Sequence, residues 1–304
     1  MLKFLRCVLA VLCAWCAAPA VAQTLTVEGV VSPAWVERDG RREPLTVGMR
    51  LSDKDRIVTG ERARVMLRLS EGSAIKLGEN ATLGLDNLTE KKTADNHPLV
   101  GASLEVVKGA FRFTTGVFGK PRAERDVNVK ISTITAGIRG TDFWGRSNDE
   151  QDLVCLIEGR ISVRHEQQTF IMDEPLQFFI APRNQTPKPV GKVPQQQIDE
   201  WSRETEISEG QGATRAGGRF RVELARLADE NAARDLENRL KAAGYPAVID
   251  PVRNAQGATQ YAVCVLGVAT EKDRDALQAR LKTVMSGEAG PPSKDAPDAP
   301  RRNY

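Results

Sequence analysis

The sequence predicts two folded parts of different class. The first is an all-β N-terminal domain of short strands, built as a sandwich or solenoid. The second is a small α+β C-terminal domain. Three observations lead there. Apolar and polar residues alternate from Leu25 to about Ile180, the period of strands that turn one side to a core. From Ala181 to Gly218 the composition shifts to Pro and Gly, which break regular elements. Beyond Gly218, alternating segments flank two stretches with a helical period.

The chain has 304 residues, enough for two domains of ordinary size. Lys and Arg number 43 against 40 Asp and Glu, a net charge of +3. That balance gives no footprint for nucleic acid. Aromatics are 5% of the chain, too few for a broad stacking platform. The two histidines, His97 and His165, rule out a three-histidine metal site, and no His-Glu-x-x-His pattern occurs. No metal or other cofactor is expected.

The first element is a targeting segment, residues 1–22. Lys3 and Arg6 precede an apolar run from Cys7 to Ala18, and Ala20-Val21-Ala22 offers a small-x-small cleavage site. The run is shorter than the ~20 apolar residues of a spanning helix. Cleavage after Ala22 is therefore favoured over an anchor, and no stable membrane span is expected. Of five cysteines, Cys155 and Cys264 follow this segment. An inter-domain disulfide and two separate small apolar thiols are the two readings, the second preferred.

The β domain, residues 24–180, follows. Val65, Leu67 and Leu69 form one alternating set; Phe111 with Phe113 and Val127 with Val129 and Ile131 form others. Asp39-Gly40, Glu71-Gly72, Lys108-Gly109 and Glu158-Gly159 punctuate them, supplying the positive φ that tight hairpin turns need. Val107–Phe113 and Ile157–Val163 echo one another as apolar-x-Gly-x-apolar-x-apolar. Two copies do not make a solenoid. The motif Gly140-Thr141-Asp142-Phe143 reads as a turn with local backbone hydrogen bonds rather than a catalytic acid, because no second acid or nucleophile accompanies it. No catalytic residue is expected.

Asp55-x-Ile57-x-Thr59-Gly60, Glu71-Gly72-Ser73, Arg139-Gly140-Thr141-Asp142-Phe143 and Glu158-Gly159 occur in that order. The order resembles the FecR-type periplasmic domain, over roughly residues 24–165. The resemblance implies an all-β sensing or interaction module of the bacterial envelope. The cytoplasmic anti-sigma segment and membrane helix of well-known members have no counterpart before it here.

Residues 181–218 read as a linker. Gln195 to Glu204 predicts a short helix with Ile198 and Trp201 on one face. Trp201 either docks on the β domain or forms a knob for a partner. Gly210, Gly212, Gly217 and Gly218 predict flexibility.

The C-terminal domain, residues 219–285, orders as β-α-β-β-α. Phe220, Val222 and Leu224 alternate. Asp229 caps a helix with Ala232, Leu236 and Leu240 on its apolar face, and Gly244 ends it. Tyr245–Asp250 and Tyr261–Val265 are strands. Thr270 and Asp273 form a capping box before a helix with Ala276, Leu277 and Leu281 inside. This order gives one sheet with both helices on one face and the other face open. Residues 286–304 read as a disordered tail.

Val222–Leu227, Asn231-Ala232 and Leu240-Lys241-Ala242-Ala243-Gly244-Tyr245 resemble the SPOR domain, a small ferredoxin-like fold. The resemblance implies binding to peptidoglycan glycan strands, preferably those stripped of stem peptides, and accumulation at division septa. Strand parity turns Arg221 and Glu223 outward on the first strand, and Ala262 and Cys264 outward on the third. These four are the candidate glycan-binding residues. The expected function is that of an exported, non-enzymatic periplasmic protein. It would bind the cell wall through the C-terminal domain and an unidentified protein or ligand through the β domain. The alternative is a periplasmic adaptor whose two modules both bind proteins.

Overall fold

The computed structural model of the protein describes residues 25–92, 98–116, 124–138 and 140–286. The expected targeting segment, Arg139 and the tail after Ser286 lie outside them. In chain order the first strands are β1 (Leu25–Val31), β2 (Ala34–Arg38), β3 (Arg41–Pro44), β4 (Arg50–Leu51), β5 (Arg56–Thr59), β6 (Arg64–Leu69) and β7 (Ala74–Leu77). Then come β8 (Thr82–Lys92), β9 (Pro98–Thr114), β10 (Glu124–Ile131), β11 (Ile134–Ile138), β12 (Asp142–Ser147), β13 (Gln151–Glu158), β14 (Ile161–His165) and β15 (Gln168–Met172). They are followed by β16 (Gln177–Pro182), β17 (Gly191–Lys192), α1 (Gln195–Arg203) and β18 (Ala213–Arg215). The last elements are β19 (Phe220–Leu227), α2 (Glu230–Ala242), β20 (Ala247–Arg253), β21 (Thr259–Val268) and α3 (Glu271–Ser286).

Of the two expected β architectures, the sandwich is the one observed. The first sheet runs β1-β6-β7-β9-β12-β13-β16-β17, all antiparallel. The second runs β3-β2-β5-β8-β9-β10-β11-β14-β15, with β9 and β10 parallel. Alternation fills the space between them. Leu67, Ile75, Phe111 and Phe143 from the first sheet meet Ile57, Leu83, Val129 and Val163 from the second in one core. Each such side chain, fully buried, contributes about 1.5–3 kcal/mol relative to exposure.

The glycine signals divide into two kinds. Asp39 and Gly40 take φ of 50° and 73° and close the β2–β3 hairpin, as expected. Lys108-Gly109 does not end a strand. β9 is a single strand of 17 residues. Its first part pairs with β8 and β10 in the second sheet, and its last part with β7 and β12 in the first. Gly109 is the corner, with φ 89°, and a Cβ there would lie 2.5 Å from Ala81 Cα. Gly159, with φ 91°, is the second corner: β13 belongs to the first sheet and β14 to the second. The echo between Val107–Phe113 and Ile157–Val163 therefore marks two sheet crossings rather than a repeat.

The segment read as a flexible linker is ordered. α1 lies on the outer face of the first sheet. There Ile198 joins a separate cluster with Ala110, Trp144, Leu153 and Cys155. Trp201 stacks on Trp144, with ring centroids 5.1 Å apart and planes at 10°. β18 pairs with β1 along Gly29–Val31 and touches β21 at Val268. Gly210, Gly212 and Gly217 here supply left-handed backbone. Asp273, at the start of α3, is 1% exposed. Its Oδ1 accepts from the backbone N–H of Gly210, Gly212 and Ala213 at 3.0, 3.0 and 3.1 Å. Side chains at Gly210 and Gly212, with φ of 84° and 79°, would oppose that convergence.

The C-terminal part is a three-stranded antiparallel sheet in the order β19-β21-β20. Both helices cover one face. Ala233, Leu236 and Leu240 of α2 and Leu277 and Leu281 of α3 pack on Val222, Val263 and Val265. Ala233, not Ala232, completes the α2 stripe, because it lies three residues before Leu236 on the same face. Asp229 caps α2 by accepting from Asn231 N–H at 3.0 Å. Thr270 and Asp273 make the expected capping box, with Asp273 N–H donating to Thr270 Oγ1 at 3.1 Å.

This sheet is docked on the sandwich. The Ala34 N–H donates to the Gly244 carbonyl and Trp35 Nε1–H to the Ala242 carbonyl, each at 3.2 Å. Arg280 donates to the carbonyls of Ser32 at 2.6 Å and Gln211 at 3.2 Å. Arg42 lies over the Trp35 ring at 4.1 Å.

Candidate functional site

The face of the C-terminal sheet opposite the helices is built by three strands. β21 runs down the middle with Ala262, Cys264 and Leu266. Register sets Glu223 and Val248 on either side of Cys264, and Arg226 and Asp250 on either side of Ala262. The charged residues form one network. Arg226 grips Glu223 with two bonds of 3.0 Å, Arg221 reaches Glu223 at 3.3 Å, and Arg221 crosses the sheet to Asp250 at 3.0 Å. The Arg226 guanidinium is the largest cause of a Glu223 carboxyl held below the usual glutamate range. Leu266, 51% exposed, and Val248, 36% exposed, give the face an apolar end.

All four candidate residues lie on the face that parity assigns them, but two of them are buried there. Arg221 and Glu223 present charged groups on the face. Ala262 and Cys264 are on the same face, yet both are 0% exposed. They occupy the central strand under the arginine–carboxylate network and form its floor, and burial pushes the Cys264 thiol up. Arg226 and Asp250 were missed. The reason for Arg226 is a bulge in β19. Glu223 pairs with Cys264 and Ala225 with Val263, so Leu224 is an extra residue and alternation flips after it. A doubled apolar pair, Leu224-Ala225, inside an alternating strand was the available signal. The two tyrosines take no part in this face: Tyr245 is 3% exposed and packs in the core, and Tyr261 packs against the same core.

The polar motif residues of the sandwich are engaged within the domain, some on backbone and some on arginine side chains. The Asp55 carboxylate, 1% exposed, takes Arg38 Nε and Nη2 at 2.7 and 2.6 Å and the Ser52 N–H at 2.7 Å. Thr59 Oγ1 donates to the Gly78 carbonyl at 2.7 Å and accepts from the Ala81 N–H at 2.8 Å. Ser73 Oγ accepts from Gly116 N–H. Thr115 Oγ1 donates to the Thr141 carbonyl and accepts from the Thr141 N–H, each at 2.9 Å, while the buried Thr141 Oγ1 has no hydrogen-bond partner among the described residues. Asp142 pairs with Arg112 at 2.8 and 2.7 Å. Among the described residues no group of three His, Cys, Asp or Glu side chains is placed to hold a metal ion. Cys155 and Cys264 are separate free thiols, both buried.

The chain thus combines a sandwich, whose signature polar groups are tied mainly to its own backbone and arginines, with a small sheet that has helices on one face only. Comparison with known families agrees. Residues 55–162 match the FecR protein family and residues 216–290 match the SPOR domain, so the chain carries a FecR-type domain followed by a SPOR domain. Both are non-catalytic domains of the bacterial envelope, the first associated with signalling and the second with peptidoglycan. Two solved structures of a candidate anti-sigma factor from Parabacteroides distasonis ATCC 8503 are similar at 14% and 15% identity, each with a TM-score of 0.38. The similarity covers 75% and 76% of this chain and 92% and 90% of those chains. No curated protein matches. No helix among the described residues is long and apolar enough to cross a membrane.

Proposed function

We propose that the protein is a non-enzymatic periplasmic protein that holds peptidoglycan glycan strands on the open face of its SPOR domain and engages a protein through its FecR-type sandwich. In this reading it is exported by residues 1–22, cleaved after Ala22, and gathers at division septa. The division into a sandwich at 24–180 and a wall-binding domain at 219–285 belongs to the same proposal, with residues 181–218 as an ordered connection. The observation that carries the reading is the uncovered sheet face itself. It is about as wide as three strands at ~4.8 Å spacing. It offers Arg221, Glu223, Arg226 and Asp250 for sugar hydroxyls and Leu266 with Val248 for apolar sugar faces.

The test is co-sedimentation of the full chain with purified sacculi, before and after an amidase removes the stem peptides. Pelleting is expected to rise after amidase treatment. Leu266→Glu is expected to lower it at least about tenfold, a loss of ~1.4 kcal/mol, because the site is exposed and the fold is untouched. If the folded chain stays in the supernatant under both conditions, glycan binding is rejected and the protein-adaptor reading replaces it.

A further inference from the structure

The outer face of the first sheet carries an apolar cluster that a sandwich does not need. Trp144 and Cys155 are 0% exposed and Leu153 is 2% exposed, on the side away from the main core. They are covered by α1 and the residues that follow it. Around them lies a basic rim. Lys76 Nζ holds both Glu206 oxygens at 2.6 and 2.7 Å, Arg112 reaches Glu206 at 3.0 Å, and Arg146 reaches Glu204 at 3.1 Å. The strap thus meets the sheet as a ligand would, with two apolar anchors, Ile198 and Trp201, followed by two carboxylates.

The fit leaves defects. Among the described residues the buried Trp144 Nε1 has no hydrogen-bond partner, and the same holds for Arg64 Nε. Burial lowers the Arg64 guanidinium pKa and raises that of the Glu204 carboxyl, so this part of the rim is desolvated without full pairing. α1 has nine residues, and Pro194 at its N-cap supplies no side-chain bond. A helix of that length and capping is marginal by itself. A segment that also offers an acceptor to Trp144 Nε1 would bind the same face better.

We propose that this face is a docking surface for an acidic amphipathic segment of a partner protein, and that α1 with Glu204 and Glu206 occupies it as an internal stand-in. The partner segment has two large apolar side chains three or four residues apart, followed within one turn by carboxylates. Binding exchanges the strap for the partner segment, with the same sheet contacts made in trans.

Cys155 reports the exchange, since it lies beneath the strap and burial raises its thiol to about 12. The probe is a synthetic peptide of residues 194–207. The full chain is treated with iodoacetamide at pH 8, and labelling at Cys155 is read by mass spectrometry. Saturating peptide is expected to raise the labelling rate about tenfold or more, the signature of a local opening. A peptide carrying Glu204→Gln and Glu206→Gln is expected to do so only weakly. Ile198→Ser in the full chain is expected to raise labelling without peptide. The proposal is overturned if the peptide leaves labelling of the wild-type chain unchanged. It is equally overturned if the charge-free peptide works as well as the acidic one, or if amides of 195–206 exchange as slowly as those of β12 and β13.

Discussion

Thr59 shows how a signature residue earns its place without touching a ligand. Its hydroxyl donates to Gly78 O and accepts from Ala81 N–H, both at a site only 3% exposed. Thr59→Val keeps the shape and removes both bonds, which strands a backbone N–H and a carbonyl in the core. The expected loss is about 1–3 kcal/mol, read as a lower urea midpoint with unchanged slope. Glu223 has the opposite character, being on the surface and held by arginines. Its folded pKa lies below the unfolded value, so its contribution is complete above the ordinary glutamate pKa. It is lost as pH falls through the depressed one. A carboxyl NMR titration should therefore place Glu223 below the usual glutamate range, and a midpoint within or above that range would contradict the Arg221–Glu223–Arg226 network.

At the scale of elements, two glycines that look alike in sequence differ in cost. Gly40 closes a hairpin in open space, and a Cβ there meets nothing within 4 Å. Gly40→Ala should cost only the left-handed backbone term, about 1–2 kcal/mol. Gly109 turns β9 from one sheet to the other against Ala81. Gly109→Ala adds an overpacking cost of about 1–3 kcal/mol to the same backbone term. Thermal melts of the two variants compare them directly, and equal losses would remove the corner role of Gly109. The strand periods, the α2 cap and the α3 capping box were legible because each is set within a few residues. The corner was not, because a Gly that reverses a chain and a Gly that carries it between sheets have the same local chemistry. The bulge in β19 hid Arg226 for a related reason: only pairing with β21 reveals which residue is the extra one.

The whole molecule depends on how the C-terminal sheet meets the sandwich. Gly244 is the contact point. It has φ 83°, and a Cβ on it would lie 2.6 Å from Trp35 Cε2. Gly244→Ala should undock the two parts while leaving each core in place. Small-angle scattering should then show a larger radius of gyration, and Trp35 emission should shift to the red. Unchanged scattering would show that the close approach is not what joins them. The docking also explains the ordered connection. Asp273 gathers the backbone of 210–213, and β18 lies between β1 and β21, so residues rich in glycine become a seam.

By itself, the sequence determined the two fold classes, their order along the chain, the helix caps and the identity of both families. Those properties rest on period, local hydrogen bonding and ordered motifs, all carried by neighbours in the chain. The tertiary structure alone decided that Ala262 and Cys264 are a buried floor. It also placed Arg226 and Asp250 on the open face, and laid the connection as a strap on an apolar sheet. These outcomes depend on cross-strand register, on side chains that reach over from other strands, and on long-range ion pairs. No local pattern in the chain encodes where such partners come from.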